Sequence, residues 1–324
     1  MSRIENICVL GGTGFVGHAV VRQLSTNGYR VTILSRHPQR ARDLLPNPGV
    51  CLIKADIHRQ ETLERYFRGM DAVINLVGIL NEFRYQSFRD IHVKLPASTM
   101  RACWKAGVPR LLHMSALGAD TGTGKSEYLR TKGEAEQLLY INSGDSLDVT
   151  RFRPSVIFGQ NDQFFNRFAR LLRYTPWLFP LACGNASLAP VYVEDVASAF
   201  VTALENPDAY SQRYDLCGPR KYSLRELVEY TAKLLELRRW IIPLPDHIAM
   251  LQAFFLEMVP GKPFSLDNFY SLKTTSRCEH NGLKRLGIEA TPLEAVVPQY
   301  MLGKTYRAYY DRFRRYAGRG RDNP

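Results

Sequence analysis

The stretch Ile7-Cys8-Val9-Leu10-Gly11-Gly12-Thr13-Gly14-Phe15-Val16-Gly17 constrains this chain more than any other. An apolar run of strand type enters a turn with glycines at 11, 14 and 17. A helical pattern of Val16, Val20, Val21 and Leu24 leaves it. Glycine lets such a turn bend and lets its backbone approach a ligand closely. The helix that follows offers free N–H groups and a partial positive charge to an anion. A glycine motif alone is weak evidence. Set between a strand and a helix at the start of a βαβ unit, it predicts a pyrophosphate held by Gly11, Gly12, Thr13, Gly14, Phe15, Val16 and Gly17. An ordinary tight strand-to-helix turn is the alternative.

A second strand over 29–34 ends in Ser35-Arg36, about 20 residues past the glycines. There an acid would bind the ribose 2′-hydroxyl of NAD, and an arginine would accept the 2′-phosphate of NADP. No acid stands at this strand end, and Arg40 and Arg42 follow Arg36. The reading favours NADP(H) over NAD(H), with a solvated surface arginine as the alternative. Further apolar strands over 50–55, 72–78, 110–115 and 147–153 alternate with helical patterns over 61–69, 88–106 and 126–143. Near-continuous apolar strands between helices predict a parallel sheet buried on both faces. The expected fold is α/β: a Rossmann-type doubly wound parallel sheet over 1–157, with elements near 188–217 returning to it. A smaller substrate or partner lobe follows over 158–303, then a basic aromatic tail over 304–324.

The 45% hydrophobic and 23% charged fractions are those of a globular protein. Cys8, Cys51, Cys103, Cys183, Cys217 and Cys278 form no C-x-x-C pair, so they read as reduced residues of a cytoplasmic protein. The histidines are dispersed, and no metal-ligand spacing is visible. No secretory or transit segment is expected, and the longest uncharged apolar stretch is too short to span a bilayer. The net charge of +12 suits an anionic partner, such as a phosphorylated cofactor, an acidic protein or an anionic membrane surface. With no recognised module beside that charge, nucleic-acid binding is not expected.

Tyr128 and Lys132 lie four apart on a predicted helix and share one face. An ammonium beside a phenol is expected to lower the phenol pKa and fit it for proton transfer. Ser115 closes the fifth strand at the carboxyl edge, where α/β proteins bind ligands, and could hold a substrate oxygen.

The glycine turn, Ser115, Tyr128-x-x-x-Lys132 and Arg153-Pro154-Ser155 together resemble the extended or atypical branch of the short-chain dehydrogenase/reductase superfamily. His113-Met114-Ser115-Ala116-Leu117-Gly118, Tyr128-Leu129-Arg130-Thr131-Lys132-Gly133-Glu134 and Val191-Tyr192-Val193-Glu194-Asp195-Val196-Ala197 narrow the likeness. They resemble the NAD-dependent epimerase/dehydratase-like group that contains the nucleotide-binding accessory subunit of respiratory complex I and its bacterial relatives. The resemblance implies that Asp56 and Ile57 flank the adenine, and that Asn75, Val77 and Gly78 line the cofactor. It places Pro154 and Ser155 at the nicotinamide. Tyr128 would be the acid/base, Lys132 would hold the nicotinamide ribose and Ser115 would orient the substrate oxygen. Many active members carry an asparagine in the helix after strand four; here His92 stands near that position, where it could relay protons or pack. Two roles follow: an oxidoreductase or epimerase, or a nucleotide-bound accessory or assembly factor serving complex I or ubiquinone biosynthesis, peripheral on the inner face of a membrane.

Two basic segments suit such a place. The tail sets Tyr306, Tyr309, Tyr310, Phe313 and Tyr316 among arginines, as for an anionic interface or for docking on the protein body. In the segment 164–174, Arg167, Arg170 and Arg173 line one helical side, which could meet lipid or a partner, or cover a substrate cleft.

Overall fold

Six apolar runs, β1 (Asn6–Leu10), β2 (Arg30–Ser35), β3 (Val50–Lys54), β4 (Ala72–Asn75), β5 (Arg110–Met114) and β6 (Asp148–Pro154), pair as parallel strands of one sheet. A computed structural model supplies this architecture and describes residues 4–83, 86–144, 146–259, 261–274 and 278–302. The basic aromatic tail over 304–324 lies outside the described residues. Ile7 and Val9 of β1 point into one apolar layer, and Cys8 and Leu10 into the other, so the strand is buried on both faces. This is why the strands read as continuous rather than alternating apolar runs.

Short strands of the C-terminal half pair among themselves. They are β7 (Ile157–Phe158) with β10 (Val191–Tyr192), β8 (Leu178–Leu181) with β13 (Trp240–Pro243), and β9 (Ser187–Leu188) with β12 (Tyr222–Ser223). The remaining strand, β11 (Arg213–Leu216), returns to the main sheet and pairs parallel with β6. The spatial order is β3-β2-β1-β4-β5-β6-β11. The chain leaves β1 toward β2 and leaves β4 toward β5, in opposite directions across the sheet. The carboxyl ends of β1 and β4 therefore flank the switch point, where open α/β sheets bind ligands.

Helix α1 (Phe15–Thr26) packs on one face beside α6 (Val193–Glu205), which starts with Glu194 and Asp195 in its first turn. The other face is covered by α2 (Gln60–Phe67), α3 (Leu95–Ala106) and α4 (Glu127–Asn142). The predicted helix over 88–106 is in two parts. Asp90–Lys94 is a π-turn that runs into α3, whose Pro96 cannot donate to the preceding turn.

The C-terminal lobe has its own apolar core, built on α5 (Phe165–Tyr174), α7 (Leu224–Leu234), α8 (Asp246–Met258) and α9 (Leu266–Leu272), with α11 (Leu293–Met301). A capping box of Ser223 and Glu226 opens α7. The short α10 (Gly282–Arg285) lies against β11, where a Cβ at Gly282 would come within 2.8 Å of Tyr214. No helix among the described residues is long and apolar enough to cross a membrane.

One cysteine pair departs from the reduced set expected from sequence. Cys217, just after β11, and Cys278, just before α10, are joined by a disulfide across a separation of 61 residues. Spacing could not reveal it, because the return of β11 to the sheet is what brings the two together. The pair removes the cysteine argument for a reducing compartment. Closing a loop of this length contributes about 2–4 kcal/mol. Reduction should therefore lower the urea midpoint and, by loosening the unfolded chain, steepen the transition. Coincident curves for oxidised and reduced protein would mean that the bridge does not support the fold.

Candidate functional site

The site begins where β1 turns into α1. Gly11 has φ +81°, and a Cβ there would press on Leu76 C and Val77 N at 3.0 Å, against the end of β4. At Gly17 a Cβ would lie 2.3 Å from the Gly11 carbonyl oxygen and 2.6 Å from Gly12 Cα. Backbone thus touches backbone, and only glycine fits. Gly14 caps α1 in an extended conformation with no side chain filling the cap, and the first turn carries no acid. The first N–H groups of α1 are left open to an anion. Val16 turns into the core, and the Phe15 ring lies against Gly159, so these two could serve a ligand only through their backbone.

At the far end of the switch point, Ser35 Oγ accepts the His37 N–H at 3.1 Å and the Arg36 side chain is exposed. The Gln86 amide oxygen, turned toward it, accepts from Arg36 Nη2 at 2.8 Å. A cavity of about 640 Å³ opens here, with Arg36, His58, Gln86, Lys94 and Arg101 in its wall. Its one carboxylate, Asp90, is held by Lys94 at 2.7 Å. Gln86, Lys94 and Arg101 were not legible as site residues, because the loop and helix that carry them have no motif. Asp56 accepts the His58 N–H at 3.1 Å and lies 3.7 Å from Arg59, and Ile57 is buried.

The carboxyl edge of β4, β5 and β6 carries a row of buried polar atoms without partners among the described residues: Asn75 Nδ2, Ser115 Oγ and Ser155 Oγ. Asn75 Oδ1 accepts the Val77 N–H at 3.1 Å, and Pro154 ends β6 beside Ser155. Neighbouring His113 is also buried, both ring nitrogens unpaired among the described residues, and burial holds it well below the ordinary histidine range.

Helix α4 is drawn tightly over this edge. Ser126 caps it, accepting the Leu129 N–H at 3.2 Å, and Gly133 allows the Asp120 backbone to within 2.6 Å of where a Cβ would stand. Glu136 binds Arg153 of β6 in a buried bidentate pair at 2.7 Å. Lys132 is consequently buried, with Nζ donating to the Met114 carbonyl at 3.0 Å and 3.2 Å from where a Cβ of Gly78 would stand. Burial lowers its pKa to about 8.

Tyr128 leans on His92 edge-on at 5.3 Å and on Phe88 at 6.0 Å. Its phenol is pushed up to about 12, by burial first and by the nearby Asp267 carboxylate second. This corrects the expectation of a phenol lowered by Lys132: the ammonium is engaged at the Met114 carbonyl, and desolvation outweighs it. Asp267, from α9, accepts the Glu127 N–H at 2.7 Å at the start of α4. Nothing in the sequence links it to a helix 140 residues away.

His92 accepts the Ile79 N–H at Nε2, 3.1 Å, and meets Thr131 Oγ1 at Nδ1, also 3.1 Å. The Thr131 hydroxyl donates to the Glu127 carbonyl, so His92 Nδ1 is the donor and the ring is neutral. Burial depresses its pKa to about 2. Both nitrogens are occupied, so here the imidazole ties the loop after β4 to α4.

The uncapped α1 terminus, the glycine contacts and the unpartnered atoms fit a dinucleotide lying across the switch point. Comparison with known proteins agrees. A model described as the NAD dependent epimerase/dehydratase family matches residues 7–217. NADH dehydrogenase (ubiquinone) 1 alpha subcomplex subunit 9, mitochondrial, of Mus musculus is 31% identical over 310 residues, covering 88% of this chain and 77% of that protein. Among solved structures, the NADPH-dependent quinone oxidoreductase from Escherichia coli complexed with NADPH superposes with a TM-score of 0.72 at 18% identity, covering 90% of this chain and 98% of that one. The UDP-glucose 4-epimerase of Thermotoga maritima gives 0.71 at 19%, covering 92% and 99%. At these identities the two structures establish the fold.

Gly17→Ala should lower dinucleotide affinity by at least about tenfold, measured by calorimetry, because the added methyl displaces the Gly11 carbonyl; unchanged affinity would place the nucleotide elsewhere. A second outcome concerns acid. The unfolded chain binds a proton at His92 near pH 6.5 and the folded chain only near 2. This site therefore penalises folding as pH falls below 6.5, by about 1.4 kcal/mol per pH unit. His92→Asn should flatten the acid limb of urea midpoints against pH, and a limb of unaltered slope would refute the assignment.

Proposed function

The chain belongs to the NAD dependent epimerase/dehydratase family, and on that premise we propose that it is an NADP(H)-dependent oxidoreductase or epimerase acting on a carbonyl or hydroxyl group. The observation that carries this reading is the row of unpartnered buried atoms on Asn75, Ser115 and Ser155, beside Tyr128 and Lys132 of α4. An unpaired buried polar group costs about 1–3 kcal/mol, and three along one edge support a polar ligand there.

The turn from Gly11 to Gly17 would hold the pyrophosphate on the α1 N-terminus. Arg36, with Lys94 and Arg101 in the same cavity wall, would take the 2′-phosphate. Asp56 and Ile57 would flank the adenine; Asn75, Val77, Gly78, Pro154 and Ser155 would border the nicotinamide half. A bound nicotinamide supplies or accepts a hydride. Ser115 would orient the substrate oxygen. Tyr128 is protonated at neutral pH, which suits proton donation to a carbonyl oxygen as charge develops on it, the direction of reduction. Lys132 would bring a cation to the ends of β4 and β5, while His92 positions α4 and shuttles no proton.

A second reading is favoured by the likeness to the mitochondrial subunit and by Lys132 being turned to the Met114 carbonyl. In it the protein is a nucleotide-bound accessory or assembly factor for a respiratory or ubiquinone-biosynthesis complex at a membrane.

Two substitutions test these readings. Tyr128→Phe should cut NADPH consumption with a responsive carbonyl or quinone by about 10²–10⁴-fold while leaving NADPH binding intact. Retained NADPH that no carbonyl or quinone consumes, with the variant still active in assembly, would favour the accessory role. Arg36→Glu should weaken NADPH about tenfold or more and NADH much less, as expected when a charge-assisted contact is reversed. Equal loss for both nucleotides would remove the 2′-phosphate from Arg36.

A further inference from the structure

The C-terminal lobe turns apolar surface outward in two adjoining elements. In α8 the residues facing the lobe core are alanines, Ala249 and Ala253, while Ile248, Leu251, Phe254, Phe255 and Met258 are exposed. An amphipathic helix normally buries its large apolar residues and exposes small or polar ones; over about 20 Å of α8 the order is reversed. The ribbon of β8 and β13 does the same. Phe179, Leu181 and Ile241 fill its buried face, yet Leu178, Trp240 and Ile242 occupy the solvent face, where polar residues are expected. The Gln252 amide donates to the Pro180 carbonyl at 3.3 Å and ties α8 to this ribbon.

At the start of the ribbon stand two indoles, Trp177 at 83% and Trp240 at 78% of full exposure. The Trp240 N–H donates to the Trp177 carbonyl at 2.8 Å, and Trp177 has φ 62°, a backbone conformation that bulky residues rarely adopt. The charge around this end is mostly positive. Residues 164–181 and 237–245 contain five arginines, at 167, 170, 173, 238 and 239, and no acid, with Glu236 just before the second segment and Asp246 just after it. Arg170, Arg173 and Arg238 are exposed. The acids of α8 are paired, Asp246 with Lys273 and Glu257 with Lys262.

We propose that this face, α8 with the β8–β13 ribbon, docks on an anionic lipid bilayer, with the indoles and the apolar side of α8 in the interface and the arginines of α5 and of the turn before β13 on the headgroups. Tryptophan beside arginine is the pairing that suits a boundary apolar on one side and negatively charged on the other. A contiguous apolar face of this kind marks an interaction surface, and five arginines against the single flanking Glu236 and the lysine-paired acids of α8 select the anionic bilayer as its occupant. The inference does not depend on whether the nucleotide site performs turnover.

The test is co-sedimentation of the full chain with phosphatidylcholine vesicles, with and without phosphatidylglycerol, NADPH binding being measured in the same samples. Binding should require the anionic lipid. It should fall by about tenfold or more in Trp177→Ser/Trp240→Ser and in Phe254→Gln/Phe255→Gln, and fall also in Arg170→Gln/Arg173→Gln, with NADPH affinity unchanged throughout. Trp104→Phe leaves only the two indoles of this face, so brominated lipids should quench its emission without any change to the face itself. Vesicle binding untouched by the face variants, or emission that brominated lipids do not quench, overturns the proposal. So does a dimer that the tryptophan variant dissolves in a chain that ignores vesicles, which would give the face to a second copy.

Discussion

At Gly17 the first turn of α1 rests on the backbone of Gly11 and Gly12, at a distance that excludes even a methyl group. That contact sets where α1 starts and how it leaves the sheet. It places α1 beside α6 on one face and aims the open helix terminus at the crevice between β1 and β4. The other contributors converge on this crevice because parallel strands end together. Asn75 ends β4, Ser115 follows β5 and Ser155 follows β6, each two residues further along the register than the one before. A bulkier turn would shift the helix, and the anion site and the strand edge would no longer face one ligand.

Much of this was legible in the sequence, for definite physical reasons. Strands buried on both faces must be apolar throughout, so β1, β4 and β5 announce themselves. Tyr128 and Lys132 share a helical face by spacing alone. What was hidden depends on contacts between distant segments. The disulfide waits on the return of β11, and Asp267 reaches α4 from another lobe. The double engagement of His92 arises inside a π-turn that no periodicity signals. The direction of the Tyr128 shift lies outside what spacing conveys, which brings a lysine near but shows neither the burial of the phenol nor the Asp267 carboxylate beside it. The outward apolar face of α8 was equally hidden, since an apolar helical pattern does not say which side meets the core.

The site is an economy of buried polar groups. Lys132, Glu136 and Thr131 all project from α4 into surroundings that would reject them singly. Each is answered by a fixed partner: the Met114 carbonyl, Arg153 and His92. Such partners hold α4 in one register, so that the unanswered atoms beside it face the crevice as a set. Polar groups answered along the helix, beside unanswered ones at the strand ends, are the arrangement expected of a pre-organised pocket.

Asp267 gives the architecture a further consequence. The last donor groups at the head of α4 are completed by a carboxylate that belongs to the other lobe. The lobe is therefore no interchangeable attachment to a self-sufficient sheet. Recombining the sheet with a foreign lobe, whether by gene fusion or by domain shuffling in evolution, would leave the head of α4 unfinished unless the newcomer brought an acid to the same spot. Divergence of this lobe is thus tethered along α9, at Asp267 and at Ser265 and Ser271, which bond Asn81 and Ser126.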